Sequence, residues 1–212
     1  MKQTKETRAF NFEVRTEENE KHGHFLSGVP IVYEQTTNLG WYDETIARGA
    51  LDNTDLKDVR FLIGHNADMV PLARSRNNNE NSTMQMTVTD EGMEIRVDLD
   101  TENNDDSRKL YSAAQRGDIT GMSFAFTVDS DSWEDIDTDH PKRTITSIRR
   151  VFEVSAVAFP AYEGTSIEAR SEDAAPDGAR ASLESARAAA REHLDQERRA
   201  AALARLDKWR TK

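Results

Sequence analysis

Three residues of types that can cooperate in acyl transfer stand out: Ser123, His65 and Glu153. Ser123 lies in Gly117 to Val128, GDITGMSFAFTV. Its second half alternates as a β-strand does, with Met122, Phe124, Phe126 and Val128 on one face and Ser123, Ala125 and Thr127 on the other. The small residues Gly121 and Ala125 leave room beside the serine, as a nucleophile needs if a peptide is to lie over it. An ordinary barrel strand has the same pattern. His65 stands where the apolar strand Asp58 to Gly64, DVRFLIG, stops, beside polar Asn66 and Asp68. Strand ends are where positioned catalytic groups tend to lie, yet position alone favours a histidine that merely ends a strand and bonds a carbonyl. Glu153 is inside VFEVSAVAF, a run apolar enough for burial on both faces. A carboxylate taken out of water costs several kcal/mol unless it is paired. Glu153 therefore either faces solvent at an edge or has a partner, and a histidine in need of orientation would suit it. Together the three supply a nucleophile, a general base and an orienting acid. Spacing does not tell whether they meet, because triads occur in several chain orders.

The other constellations are weaker. His22 and His24 in Lys21-His22-Gly23-His24 offer two imidazoles for a metal, but no further ligand lies close in sequence. The run Asp129 to Asp139 is acidic but lacks the ordered spacing and central glycine of a calcium loop, so it reads as a solvated loop. His140 and His193 read as turn and exposed-helix histidines. No cofactor and no metal is expected.

The elements that must position these groups are mostly strands. A short alternating segment runs from Ala9 to Val14, and Gly23 to Tyr33 is a strand with a bulge or bend at Gly28 and Pro30. Trp41 to Leu51 reads as a short helix stopped near Gly49. Met84 to Val88 and Met93 to Leu99 alternate on either side of Thr89-Asp90-Glu91-Gly92, a hairpin. Asn103 to Gly117 reads as a helix with Asp105 or Asp106 as N-cap and Gly117 at C′. Lys142 to Arg150 is a strand that leads into the Glu153 run. Strands without a βαβ rhythm predict an α+β body, mostly antiparallel and barrel-like, with helices around it; closure would remove exposed edges. Residues 1–170 form this body, 171–180 a Pro-, Gly- and Asp-containing linker, and 181–212 an alanine- and arginine-rich helical tail with a thin apolar stripe. Such a helix is steadier when docked on a partner.

The 212-residue chain has no cysteine, which removes disulfides and thiolate chemistry. Its net charge of −11 is uneven: residues 171–212 hold nine Lys/Arg against eight Asp/Glu, leaving −12 on the body. An acidic body argues against a nucleic-acid partner. The absence of any run near the ~20 apolar residues of a membrane span argues against a membrane partner. A soluble, intracellular protein is expected.

Four segments resemble the prohead maturation proteases of tailed bacteriophages, whose fold resembles that of herpesvirus assemblins. They are Trp41 to Ala50, Phe61-Leu62-Ile63-Gly64-His65-Asn66, Gly121-Met122-Ser123-Phe124-Ala125-Phe126, and Glu153-Val154-Ser155 through Pro160-Ala161, within roughly residues 8–170. The resemblance implies an assemblin-like fold and a serine endopeptidase with Ser123 as nucleophile and His65 as base. Assemblins carry a second histidine where this chain has Glu153, a change of identity that keeps the orienting role. They also use an arginine pair for the oxyanion, where this chain has Ala161-Tyr162; Arg149, Arg150 or backbone N–H groups are the substitutes. The implied partners are the major capsid protein or its scaffolding portion and the protease itself, as cleavage target or second copy. The implied setting is the procapsid in the host cytoplasm, with 181–212 as a docking or self-cleavage region. An inactive scaffolding or interaction protein on the same fold is the alternative, and a metal-dependent hydrolase using His22 and His24 ranks lowest.

Overall fold

The computed structural model describes residues 4–11, 15–19, 23–158 and 177–210. In chain order the elements are β1 (Glu6–Asn11), β2 (Arg15–Asn19), β3 (Gly23–Val32), β4 (Thr37–Asn38), β5 (Asp43–Ile46), β6 (Asp58–Ile63), β7 (Ala73–Arg76), β8 (Met84–Val88), β9 (Gly92–Leu99), α1 (Asp105–Gln115), β10 (Gly121–Glu134), β11 (Lys142–Val157) and α2 (Asp177–Arg210). The α+β class holds. The closed barrel does not, because the described strands form a seven-stranded and a four-stranded sheet. The seven-stranded sheet runs β1-β10-β11-β5-β4, and β6 also pairs with β11 and carries β7 outward. β5 takes the first part of one β11 edge in parallel and β6 the last part, so that edge forks instead of curling round to close. The second sheet, β2-β3-β9-β8, is antiparallel throughout.

Both sheets feed one core. Leu26, Ile31, Met93 and Ile95 from the four-stranded sheet and Phe61, Met122, Phe124 and Val154 from the other share a single buried apolar cluster. The even-numbered side chains at the start of β10 thus enter the core, as their alternation demands. The odd-numbered set, including Ser123, is turned to the opposite face and is nonetheless buried. The bulge expected at Gly28 and Pro30 is present as a register shift between Gly28 and Ile31. Asn104, rather than an aspartate, caps α1: its Oδ1 accepts from the N–H groups of Asp106 and Ser107 at 2.9 and 3.2 Å. At the other end Gly117 has φ 78°, and the bonds Gly117 N to Ala114 O and Asp118 N to Ala113 O (3.0 and 2.8 Å) make a Schellman ending. That turn hands the chain to β10.

Two expectations fail locally. Trp41 to Leu51 contains β5 instead of a helix, since its alternating burial fits the strand slot beside β11. The acidic run from Asp129 continues β10 as far as Glu134 instead of forming a loop. Its carboxylates face cations on β11: Asp129 meets Arg149 at 2.6 Å, Asp131 meets Arg143 at 2.6 Å, and Asp135, just past the strand, meets Lys142 at 2.9 Å. α2 starts four residues ahead of the expected helical tail. Its first turns dock on this arm through buried Ala179 and Leu183, with Ser182 Oγ donating to Asp131 and Trp133 Nε1 donating to Ser182. Farther along, Leu194 and Leu203 are exposed.

Candidate active site

Pairing brings the candidate residues onto one face of the seven-stranded sheet. Ser123 on β10 is opposite Ser155 on β11, which is opposite Leu62 on β6; one row along, Ala125 is opposite Glu153, and Glu153 opposite Arg60. Paired residues share a face, so Ser123, Ser155 and Glu153 project together. β6 stops at Ile63, and the chain leaves the sheet through two left-handed residues, Gly64 (φ 59°) and His65 (φ 61°). For a non-glycine residue that backbone is uncommon and must be held by its surroundings. It folds the imidazole back over β11, where Nδ1 lies 2.6 Å from Glu153 Oε1. An ionised carboxylate only accepts, so Nδ1 carries the proton and Nε2 is left as the proton acceptor.

Glu153 is almost completely buried, and both of its oxygens are engaged: Oε1 by His65 and Oε2 by the Ser155 hydroxyl at 2.6 Å. The awkward carboxylate of the apolar run therefore has the histidine partner its burial demands. Ser123 is fully buried, and its Oγ donates to the backbone carbonyl of Arg8 on β1 at 2.6 Å. No hydrogen bond joins it to His65 among the described residues. His65 and Glu153 are joined, and Ser123 sits one strand away with its proton directed elsewhere.

The remaining candidates lie apart. His24 Nδ1 meets Thr101 Oγ1 at 2.6 Å and its ring packs on Tyr111, while His22 lies outside the described residues. His140 Nε2 meets Asp43 at 2.9 Å, and His193 is 3.8 Å from Glu197 on α2. No group of three potential metal ligands occurs among the described residues. Arg149 is taken up by Asp129, and Arg150 lies 3.8 Å from Asp55 with its guanidinium over the Phe152 ring. Ala161 and Tyr162 fall outside the described residues.

Two features escaped the sequence. Ser155 is one; its signal was a hydroxyl two residues from Glu153, hence on the same face of the same strand. The other is a buried charge cluster on the face of β1 opposite the one turned toward Ser123. Arg8 bonds Glu6 (2.6 Å), Glu44 and the Tyr42 hydroxyl (3.2 Å); Arg143 bonds Glu6 (2.7 Å), Glu44 (3.0 Å) and Asp131 (2.6 Å). Burial alone would raise the Glu6 carboxyl, but the hydrogen bonds and charge of Arg143, joined by Arg8, outweigh it and hold Glu6 below the usual carboxylate range. Burial likewise works against the Arg8 charge, and Glu44 with Glu6 overcomes it, so Arg8 is held above its ordinary value. The cluster fixes β1 to β5 and β11, and so fixes the Arg8 carbonyl that holds Ser123.

Sheet, left-handed histidine and buried acid together make a site suited to hydrolysis through an activated hydroxyl. A family model of caudovirus prohead serine proteases matches residues 10–177, and the chain belongs to that family. Among solved structures it is similar to the bacteriophage T4 capsid assembly protease, at 13% identity over 76% of this chain and 100% of that one, with a TM-score of 0.48. No curated protein sequence matches it.

Proposed function

We propose that this prohead protease is a serine endopeptidase in which Ser123 attacks, His65 moves the proton and Glu153 orients the histidine. The observation that carries the reading is the 2.6 Å contact of His65 Nδ1 with buried Glu153, one strand from Ser123 on the same sheet face. For attack, the Ser123 hydroxyl turns from the Arg8 carbonyl to His65 Nε2. Oγ adds to the scissile carbonyl carbon as Nε2 takes its proton, and Glu153 stabilises the imidazolium that results. Collapse of the tetrahedral intermediate breaks the C–N bond, and Nε2 returns the proton to the departing amine. Water, deprotonated by the same nitrogen, then adds to the acyl carbon; collapse breaks the C–Oγ bond, and Nε2 returns the proton to Ser123 Oγ as the acid product leaves.

The substrates in this reading are the scaffolding portion of the capsid protein and the protease itself, cleaved inside the procapsid in the host. The exposed far part of α2 is the segment available for docking on capsid or scaffold. The test is co-expression with the cognate capsid protein, with intact masses read for both chains in assembled particles. Wild type should give processed capsid protein, and Ser123→Ala only full-length chains. The rival reading, an inactive interaction protein, draws on the buried Ser123 hydroxyl held by Arg8. It requires identical, unprocessed masses for the two.

A further inference from the structure

The hydroxyl of Ser155 stands at the junction of everything that sets the His65 ring. It is fully buried in β11, between Ser123 on one neighbouring strand and Leu62 on the other. It donates to Glu153 Oε2 at 2.6 Å and accepts the backbone N–H of His65 at 3.1 Å. We propose that Ser155 is a positioning residue of the catalytic site, acting through both Glu153 and His65; this rests on the serine-protease reading above.

The physical argument has two parts. The carboxylate of Glu153 can rotate about its last bond, and only a plane that keeps Oε1 toward Nδ1 gives the 2.6 Å contact. A short hydrogen bond on Oε2 fixes that plane and supplies a second donor to a charge that burial would otherwise destabilise. His65, meanwhile, adopts φ 61°, a conformation that a residue with a Cβ does not choose by itself. Its N–H is tied to the same oxygen, so one hydroxyl fixes the ring through its partner and through its own backbone. A hydroxyl that only satisfied itself in a core would need one acceptor, and nothing would depend on its second bond. Such support shells hold reacting groups in productive geometry.

The experiment uses the full chain. In a Ser123→Ala background, which prevents self-processing, the His65 Nδ1–H proton is followed by NMR. Adding Ser155→Ala should shift that resonance or lose it to solvent exchange while the rest of the spectrum stays dispersed. With Ser123 intact, Ser155→Ala should slow capsid-protein cleavage roughly 10- to 100-fold, the range for loss of a group that orients another. In a Glu153→Gln background the same change should cost less than it does alone, because the part of its effect that passes through Glu153 is already lost. Should Ser155→Ala fail to fold, Ser155→Cys fills the space with a weak hydrogen-bond donor and carries the same expectations. An unchanged resonance with wild-type cleavage, or losses that multiply with Glu153→Gln, would overturn the proposal. Failure of the underlying reading looks different: wild type and Ser123→Ala would give identical masses, processed or unprocessed.

Discussion

The hydroxyl of Ser123 is bound to the carbonyl of Arg8, on the strand beside it, and not to His65. The proposed nucleophile is thus also a structural hydrogen-bond donor. Removing it costs the net value of a buried hydrogen bond, about 0.5–1.5 kcal/mol. Ser123→Ala is therefore expected to melt about 1–6 °C below wild type by calorimetry, given the slope for a chain of this size. A melting point equal to or above wild type would show that the Arg8 bond contributes nothing.

Glu153→Gln keeps the shape of the acid and removes its charge. Its fold should survive, because an amide can still meet both neighbours. The imidazolium formed during attack loses its counter-charge and the tautomer its anchor. The cleavage rate should fall by roughly 10⁴-fold, about 5.5 kcal/mol of barrier. Near-normal turnover would remove Glu153 from the mechanism.

Gly64 and His65 are consecutive left-handed residues. A Cβ at Gly64 meets nothing within 4 Å, so any effect of Gly64→Ala comes from backbone preference alone. That preference is about 1–2 kcal/mol. The urea midpoint should drop accordingly, and the cleavage rate should fall further than stability does, because the strain is relieved by moving His65. Equal proportional losses would separate the turn from the site.

Glu6 titrates below the ordinary carboxylate value of 4.5 because Arg143 and Arg8 prefer it ionised in spite of its burial. Its folded value lies under its unfolded one, so its contribution is present above about pH 4.5 and is lost as pH falls through the folded value. Glu6→Gln should destabilise the protein strongly at pH 7, by about 3–5 kcal/mol, because it leaves a buried cation short of a partner. The gap from wild type should narrow as both are acidified below about pH 4.5 and close only below the folded value of Glu6. Denaturant melts at pH 7, 5 and 3.5 measure it; a constant gap would mean that Glu6 is not charged in the folded state.

What the sequence revealed was whatever depends on near neighbours. The hairpin from Met84 to Leu99, the helix closed by Gly117 and the strand that stops just before Gly64 and His65 carry their signals within a few residues. Glu153 was legible for a different reason, since burial of a charge implies a partner even when the partner is unseen. The acidic end of β10 was misread because the cations that make it a strand lie 12 and 20 residues away on β11. β11 itself hides its period: buried Ile145, Ile148 and Val151 are spaced by three, not two, because register shifts interrupt its pairing with β10. Ser155 looked like one more small residue in an apolar run. The forked edge of β11, which leaves the barrel open, is a matter of which distant strands pair, and no local pattern encodes that.

The charge cluster around Arg8 has a consequence for the order in which the molecule is finished. Glu6 and Arg8 bond each other on β1, yet Arg143, which also bonds Glu6, lies 137 positions further along the chain. β1 pairs with β10, so it has no strand to join until residues 121–126 have been made. Contacts between such remote residues form slowly and late. The strand that receives the Ser123 hydroxyl thus docks only after β10 exists, and its charge cluster is complete only once Arg143 on β11 is in place.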